Sequence, residues 1–131
     1  MILDTNIVSY MMRGGPVAGR YAPHMRGRSL YITFVTIGEM YYGAERSAWG
    51  QRRRTALAAY LGRFTVVPYN PQVSRRYGAI RAGRESRGAR IETNDAWIAA
   101  CAVEYNLPLV THNARDFQHI HGLQVITEQT P

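Results

Sequence analysis

The chain contains no lysine, a single cysteine and only nine acidic residues among 131. Each shortage removes a class of function. Phosphatases and phosphoacceptor receivers that phosphorylate an aspartate after their first strand normally set a lysine beside the phosphate, and here there is none to set. Cys101 alone cannot form an intramolecular disulfide, and its setting in Ala99-Ala100-Cys101-Ala102 reads as packed helix, not as an activated thiol. No apolar run approaches membrane-spanning length, and the opening MILDTNIV has neither a basic lead nor a small-residue cleavage site. The expectation is a soluble, unexported, cytoplasmic protein.

Positive charge is plentiful. All sixteen basic residues are arginine, the net charge is +7 and the pI is about 10.1. Cationic side chains gain by displacing condensed counterions from phosphates, so nucleic acid is the expected partner. The missing lysines we ascribe to genome base composition, although arginine does suit bidentate phosphate contacts. With 131 residues, 46% of them hydrophobic, the chain suits one compact domain over 1–131 and one site.

Short apolar runs alternate with helical stretches. Met1 to Leu3, Leu30 to Val35, Phe64 to Val67, Leu109 to Thr111 and Leu123 to Ile126 read as strands. Asn6 to Arg13, Val17 to Met25, Thr36 to Arg46, Arg52 to Arg63, Gln72 to Arg87 and Asp95 to Asn106 read as helices. This alternation implies right-handed crossovers and an α/β fold, a mostly parallel sheet with helices on both sides. Ligands of such sheets bind outside the carboxyl ends of the strands.

The acids fall where strands hand over to helices. Asp4 ends the first strand, Asp95 opens the apolar helix AWIAACAV, Asp116 follows the Leu109 to Thr111 strand, and Glu39 lies one turn into the helix after the second strand. In a parallel sheet all four share one rim. Clustered carboxylates raise one another's pKa values, and a divalent cation resolves the conflict. Oxygen-only ligands select Mg²⁺ or Mn²⁺, which lower the pKa of a bound water and stabilise charge on an attacked phosphate. An acidic cluster in a basic protein therefore suggests a nuclease. Each acid also has an ordinary role open to it: Asp4 and Asp95 as helix caps, Thr36-x-x-Glu39 as a capping box, Asp116 as a turn residue. The stripe Ile37, Met40, Tyr41, Ala44 should be buried, leaving Glu39 on the opposite face. Glu92 is a further outer candidate. Asn6, Thr111 and Asn113 could orient the carboxylates through hydrogen bonds, whereas His112, His119 and His121 should be structural or surface groups.

LDTNI, TIGEMYYGAE, TNDAWIAACA and THNARDF, in this order and spacing, resemble the motifs of VapC-type toxins of the PIN-domain ribonuclease family, over Leu3 to about Val125. The resemblance implies a type II toxin-antitoxin toxin that hydrolyses RNA, often tRNA and sometimes rRNA, with Mg²⁺ or Mn²⁺, and inhibits translation; in-line attack by metal-bound hydroxide would leave 5′-phosphate and 3′-hydroxyl ends. It implies that Asp4 and Asp95 bind metal, that Glu39 and Asp116 complete the catalytic set, and that a VapB-type antitoxin and a second copy of the chain are partners. A catalytically silent RNA- or protein-binding module with the same fold is the competing expectation. Candidate RNA contacts are Arg13, the run Arg52, Arg53 and Arg54, and Arg81, Arg84 and Arg87, which recur every three residues along one helix. Tyr42 and Trp49 are candidates for a partner groove or dimer contact.

Overall fold

The computed structural model describes residues 1–129; Thr130 and Pro131, the end of the expected 1–131 domain, lie outside the described residues. Five strands, β1 (Ile2–Leu3), β2 (Tyr31–Ile32), β3 (Thr65–Val66), β4 (Leu109–Val110) and β5 (Val125–Ile126), form a sheet in the order β3-β2-β1-β4-β5 with every pairing parallel. Six helices surround it: α1 (Thr5–Arg13), α2 (Pro16–Met25), α3 (Phe34–Arg46), α4 (Gln51–Leu61), α5 (Pro71–Ser86) and α6 (Thr93–Glu104). The α/β expectation holds.

Alternation along each two-residue strand divides the core. Leu3, Ile32 and Val110 point to one face, where they meet Ile7, Val8, Tyr21, Met40, Leu57 and Leu61. Ile2 and Leu109 point to the other, against Val35, Val67, Val73, Ile98, Phe117 and the small residues Ala99 to Ala102 of α6. The central strands β1 and β4, covered on both faces, are apolar and buried throughout, which is why they read as runs, whereas the edge strand β3 is exposed at both Thr65 and Val66. Gly14 and Gly15 join α1 to α2 at φ 76° and φ 105°, a conformation that side chains resist.

The strands are shorter than their apolar runs. The run Leu30 to Val35 reads as extended to its end, yet Phe34 and Val35 begin α3. Thr33 Oγ1 accepts the Thr36 N–H at 3.3 Å and so caps the helix there. The capping box at Thr36 and Glu39 is thus overturned: Thr36 supplies the capped donor. The buried face of α3 is also narrower than the expected stripe. Met40 and Ala44 are buried as expected, but Tyr41 is 44% exposed, a correction to the expected burial. Among the described residues no helix is long and apolar enough to cross a membrane.

Candidate active site

The sheet's topology makes the site. From β1 the chain moves outward to β2 and β3, then crosses back to β4 on the other flank, so the strand order reverses between β1 and β4. Such a switch point opens a crevice at the carboxyl ends of the strands. Register puts Leu3 beside Val110, so their successors Asp4 and Thr111 meet across the crevice.

Asp4 is buried and caps α1. Its Oδ1 accepts the Thr5 N–H at 2.8 Å, while Oδ2 accepts the Thr111 hydroxyl at 2.7 Å and Asn6 Nδ2 at 3.3 Å. Asn6 in turn accepts the His112 N–H at 3.2 Å, and Thr111 accepts the Asn113 N–H at 3.0 Å. Asn6 and Thr111 hydrogen-bond the carboxylate directly, and Asn113 is linked to it one step removed, through Thr111. Burial nevertheless outweighs these donors and holds the Asp4 carboxyl above its ordinary value.

Glu39 is positioned by a hydroxyl chain. Each hydroxyl has one proton to give, so the 2.6 Å Thr5-to-Glu39 bond leaves Thr36 as the donor in the 2.9 Å Thr36–Thr5 contact. Thr5 carried no separate signal in the sequence, lying inside the LDTNI motif without an assigned task. Asp95 is the third residue of α6, not its cap; Glu92 occupies the cap position and makes no side-chain cap bond. Asp116 sits exposed in the short 3-10 turn Ala114–Phe117.

Asp4, Glu39, Asp95 and Asp116 line one cleft of about 770 Å³, together with Asn6 and Asn113. Their repulsion is felt most at Asp95. Its pKa is pushed up to about 7 by burial first, then by the charges of Asp4, Asp116, Glu39 and Glu92. Glu92 contributes charge but does not line the cleft.

The donor set suits a hard divalent ion: the titratable groups in the cleft, apart from arginine, are all carboxylates, and they gain by neutralisation. Among the described residues no three of His, Cys, Asp or Glu close around a point as a finished cage.

The arginines separate. Arg13 and Arg53 line the cleft; Arg52 is exposed outside it. Arg54 ion-pairs with Glu45 and donates to the Trp49 carbonyl. Arg81 is engaged by Tyr77 and Glu85, and Arg87 is exposed outside this cleft. Arg84 requires a correction: it is buried, and its guanidinium donates to the carbonyls of Ala89 at 2.7 Å and Asp116 at 2.8 Å. The every-third-residue spacing cannot put all three arginines on a solvent face, because position 84 turns inward beneath the Asp116 turn.

His112 packs edge-on between Tyr10 and Tyr21, with Nδ1 2.6 Å from the Tyr21 hydroxyl, which also accepts the Glu128 N–H at 3.0 Å. This buried tyrosine braces the loop after β4, a task that its distance of 91 positions from His112 hid from sequence reading. His119 and His121 are exposed.

Thr111→Val tests the brace on Asp4. It keeps the shape but removes both the hydroxyl's bond to Asp4 and the acceptor of the Asn113 N–H, so folding stability should fall by about 1 to 3 kcal/mol. Because that bond lowers the Asp4 pKa, its loss should also shift a Mn²⁺ titration to higher concentration. A variant that titrates and melts as the wild type does would show the bond to be incidental.

A parallel α/β domain with an acidic cleft at its switch point is the class that fold and site define. The PIN-domain family model matches residues 1–123. Ribonuclease VapC2 of Haemophilus influenzae is 32% identical over 123 residues, spanning 94% of this chain and 93% of its own. The tRNA(fMet)-specific endonuclease VapC of Shigella flexneri is 30% identical over 123 residues, with the same coverage of 94% and 93%. The crystal structure of VapBC2 from Rickettsia felis bound to a DNA fragment from their promoter superposes with a TM-score of 0.85, at 25% identity, covering 98% of both chains. The chain belongs to the PIN-domain family and, within it, to the VapC-type toxins of type II VapBC toxin-antitoxin systems.

Proposed function

We propose that this chain is a Mg²⁺- or Mn²⁺-dependent endoribonuclease that inhibits translation by hydrolysing phosphodiester bonds in tRNA or rRNA in the cytoplasm. The observation that carries the reading is the convergence of four carboxylates, from four separate elements, on one cleft in a chain of net charge +7. Asp4 and Asp95 would hold the ion, which when bound supplies an acidified water and neutralises charge on the attacked phosphate. Thr111, Asn6 and the Thr5 N–H keep Asp4 in one orientation. Glu39, fixed by Thr5, and Asp116, on its turn above Arg84, complete the negative rim that draws the cation, through which the phosphate would be reached.

The test is cleavage of a mixed cellular RNA pool with Mg²⁺ or Mn²⁺, beside EDTA and Asp4→Asn controls, with fragment ends mapped. Discrete cuts lost in both controls and ending in 5′-phosphate and 3′-hydroxyl are expected. A 2′,3′-cyclic phosphate would instead mark attack by ribose and overturn the route. No cutting by active-site-intact protein that still binds RNA would favour the silent module.

The pH dependence has a definite sign. With Asp95 titrating near 7, protons compete with metal below that value. Apparent Mn²⁺ affinity should therefore rise by up to about tenfold per pH unit below neutrality and level off above it. Calorimetry in buffers of different ionisation enthalpy should show a proton released on binding at pH 6 and almost none at pH 8.5. Proton release independent of pH would remove Asp95 from the metal site.

For partners we propose a VapB-type antitoxin and a second copy of the chain. The solved relative from Rickettsia felis is a VapBC2 complex. Here Phe34 and Tyr42, 49% and 64% exposed, flank Trp97 on a surface continuous with Thr5 and Glu39. Apolar area of this kind is what interfaces cover.

A further inference from the structure

Beyond the acids, the cleft continues along α1. Asp4 caps that helix and Arg13 ends it, and both line the cleft. At about 1.5 Å of rise per residue, the two lie roughly 13 Å apart along the helix axis. On the other wall, beyond Glu39 and Met40, the residues of α3 and its cap are small, Gly43, Ala44 and Ser47, and the wall ends in Trp49, just before α4, and Arg53 in its first turn.

That end is built. The Arg53 guanidinium lies 3.8 Å from the centroid of the Trp49 ring, and Arg13 lies 5.3 Å from that of Tyr10. Arg54 holds the loop by donating to the Trp49 carbonyl at 2.6 Å while pairing with Glu45. Among the described residues neither Arg13 nor Arg53 has a carboxylate partner. A guanidinium over a ring face is restrained with its N–H edge free, a geometry that leaves less ordering to do on gripping phosphate.

The two ends of the cleft have opposite charge, and this decides the occupant. The four carboxylates repel any anion that does not reach them through a cation, while the two free arginines favour an anionic segment beside them. A polyphosphate strand suits both, one phosphate meeting the acids through a cation and a neighbouring one meeting the arginines. We propose, resting on the ribonuclease reading, that Arg53 stacked on Trp49, together with Arg13, forms a subsite that binds the backbone of single-stranded RNA beside the scissile phosphate.

The experiment measures binding of a short, mixed-sequence, fluorescein-labelled single-stranded RNA to the full chain carrying Asp95→Asn, across a salt series. Arg53→Ala and Arg13→Ala are compared with Arg75→Ala, an exposed arginine of α5 away from the cleft. Each cleft variant should weaken binding about five- to tenfold and reduce the log–log salt slope by about 0.7, the double variant by about 1.4. In the Asp95 background KM should rise while kcat changes little. Slopes and KM equal to those of Arg75→Ala, in a protein that still cuts RNA, would overturn the subsite, spare the ribonuclease and give that end of the cleft to a protein partner. Slope losses as expected, in a chain whose wild type cuts no RNA, would support the subsite and overturn the ribonuclease.

Discussion

Asp95→Asn should make the metal-free protein more stable while abolishing cleavage. A carboxyl whose folded pKa is raised binds its proton more tightly folded than unfolded, so ionisation destabilises the fold. With an ordinary value of 3.8 and a folded value of about 7, the penalty is absent at pH 3, grows between 4 and 7 and is complete above 7. A full shift of this size corresponds to about 4 kcal/mol, and partial exposure screens it to about 1 to 2 kcal/mol. At pH 8 without metal, Asn should therefore raise Tm by roughly 4 to 8 °C, and the gain should vanish towards pH 3. Added Mn²⁺ should stabilise the wild type and not the variant. Cleavage should fall by about a thousandfold or more, as expected when the group that holds the cation is removed. A variant less stable than the wild type at pH 8 would mean that Asp95 makes favourable contacts and is not held in repulsion.

Arg84→Met should destabilise the protein and silence it from a position that touches no RNA. Methionine keeps much of the buried stem but leaves the carbonyls of Ala89 and Asp116 without their donor. Partly buried unpaired carbonyls cost about 1 to 3 kcal/mol each, so a loss of about 2 to 4 kcal/mol is expected, with Tm lower by roughly 8 °C or more. The turn bearing Asp116 loses its anchor, so activity measured well below the new Tm should drop at least tenfold. Lysine should restore less than half of the stability, because one ammonium does not reproduce the planar guanidinium spanning two carbonyls. Wild-type melting with a loss confined to RNA binding would return Arg84 to the phosphate-contacting role that its spacing suggested.

The contrast between Arg84 and Asp4 shows which properties a linear reading can reach. Asp4 was legible because its position after an apolar run is a local fact, and any parallel sheet sends such a residue to the same rim. Glu39 was legible for the same reason, although its cap was misplaced by a turn: Thr33 and Thr36 are both sound caps in isolation, and in the fold Thr33 is the one that caps, with Val35 packed in the core. Arg84, Tyr21 and Thr5 act through partners 32, 91 and 34 positions away. No local pattern encodes such distances.

The sequence by itself determined the alternation of strand and helix, the apolar runs that make a sheet covered on both faces, the excess of positive charge and the placing of acids at strand ends. Those follow from hydrophobic periodicity and covalent order, which are properties of neighbours. The tertiary structure decided that β1 and β4 lie side by side, so that Asp4 meets Thr111, that Asp95 titrates near 7, and that of the seven candidate arginines Arg13 and Arg53 face the cleft while Arg84 lies beneath it. Burial, pairing and electrostatic potential depend on where distant segments of the chain come to rest, and those distances are set only when the core closes.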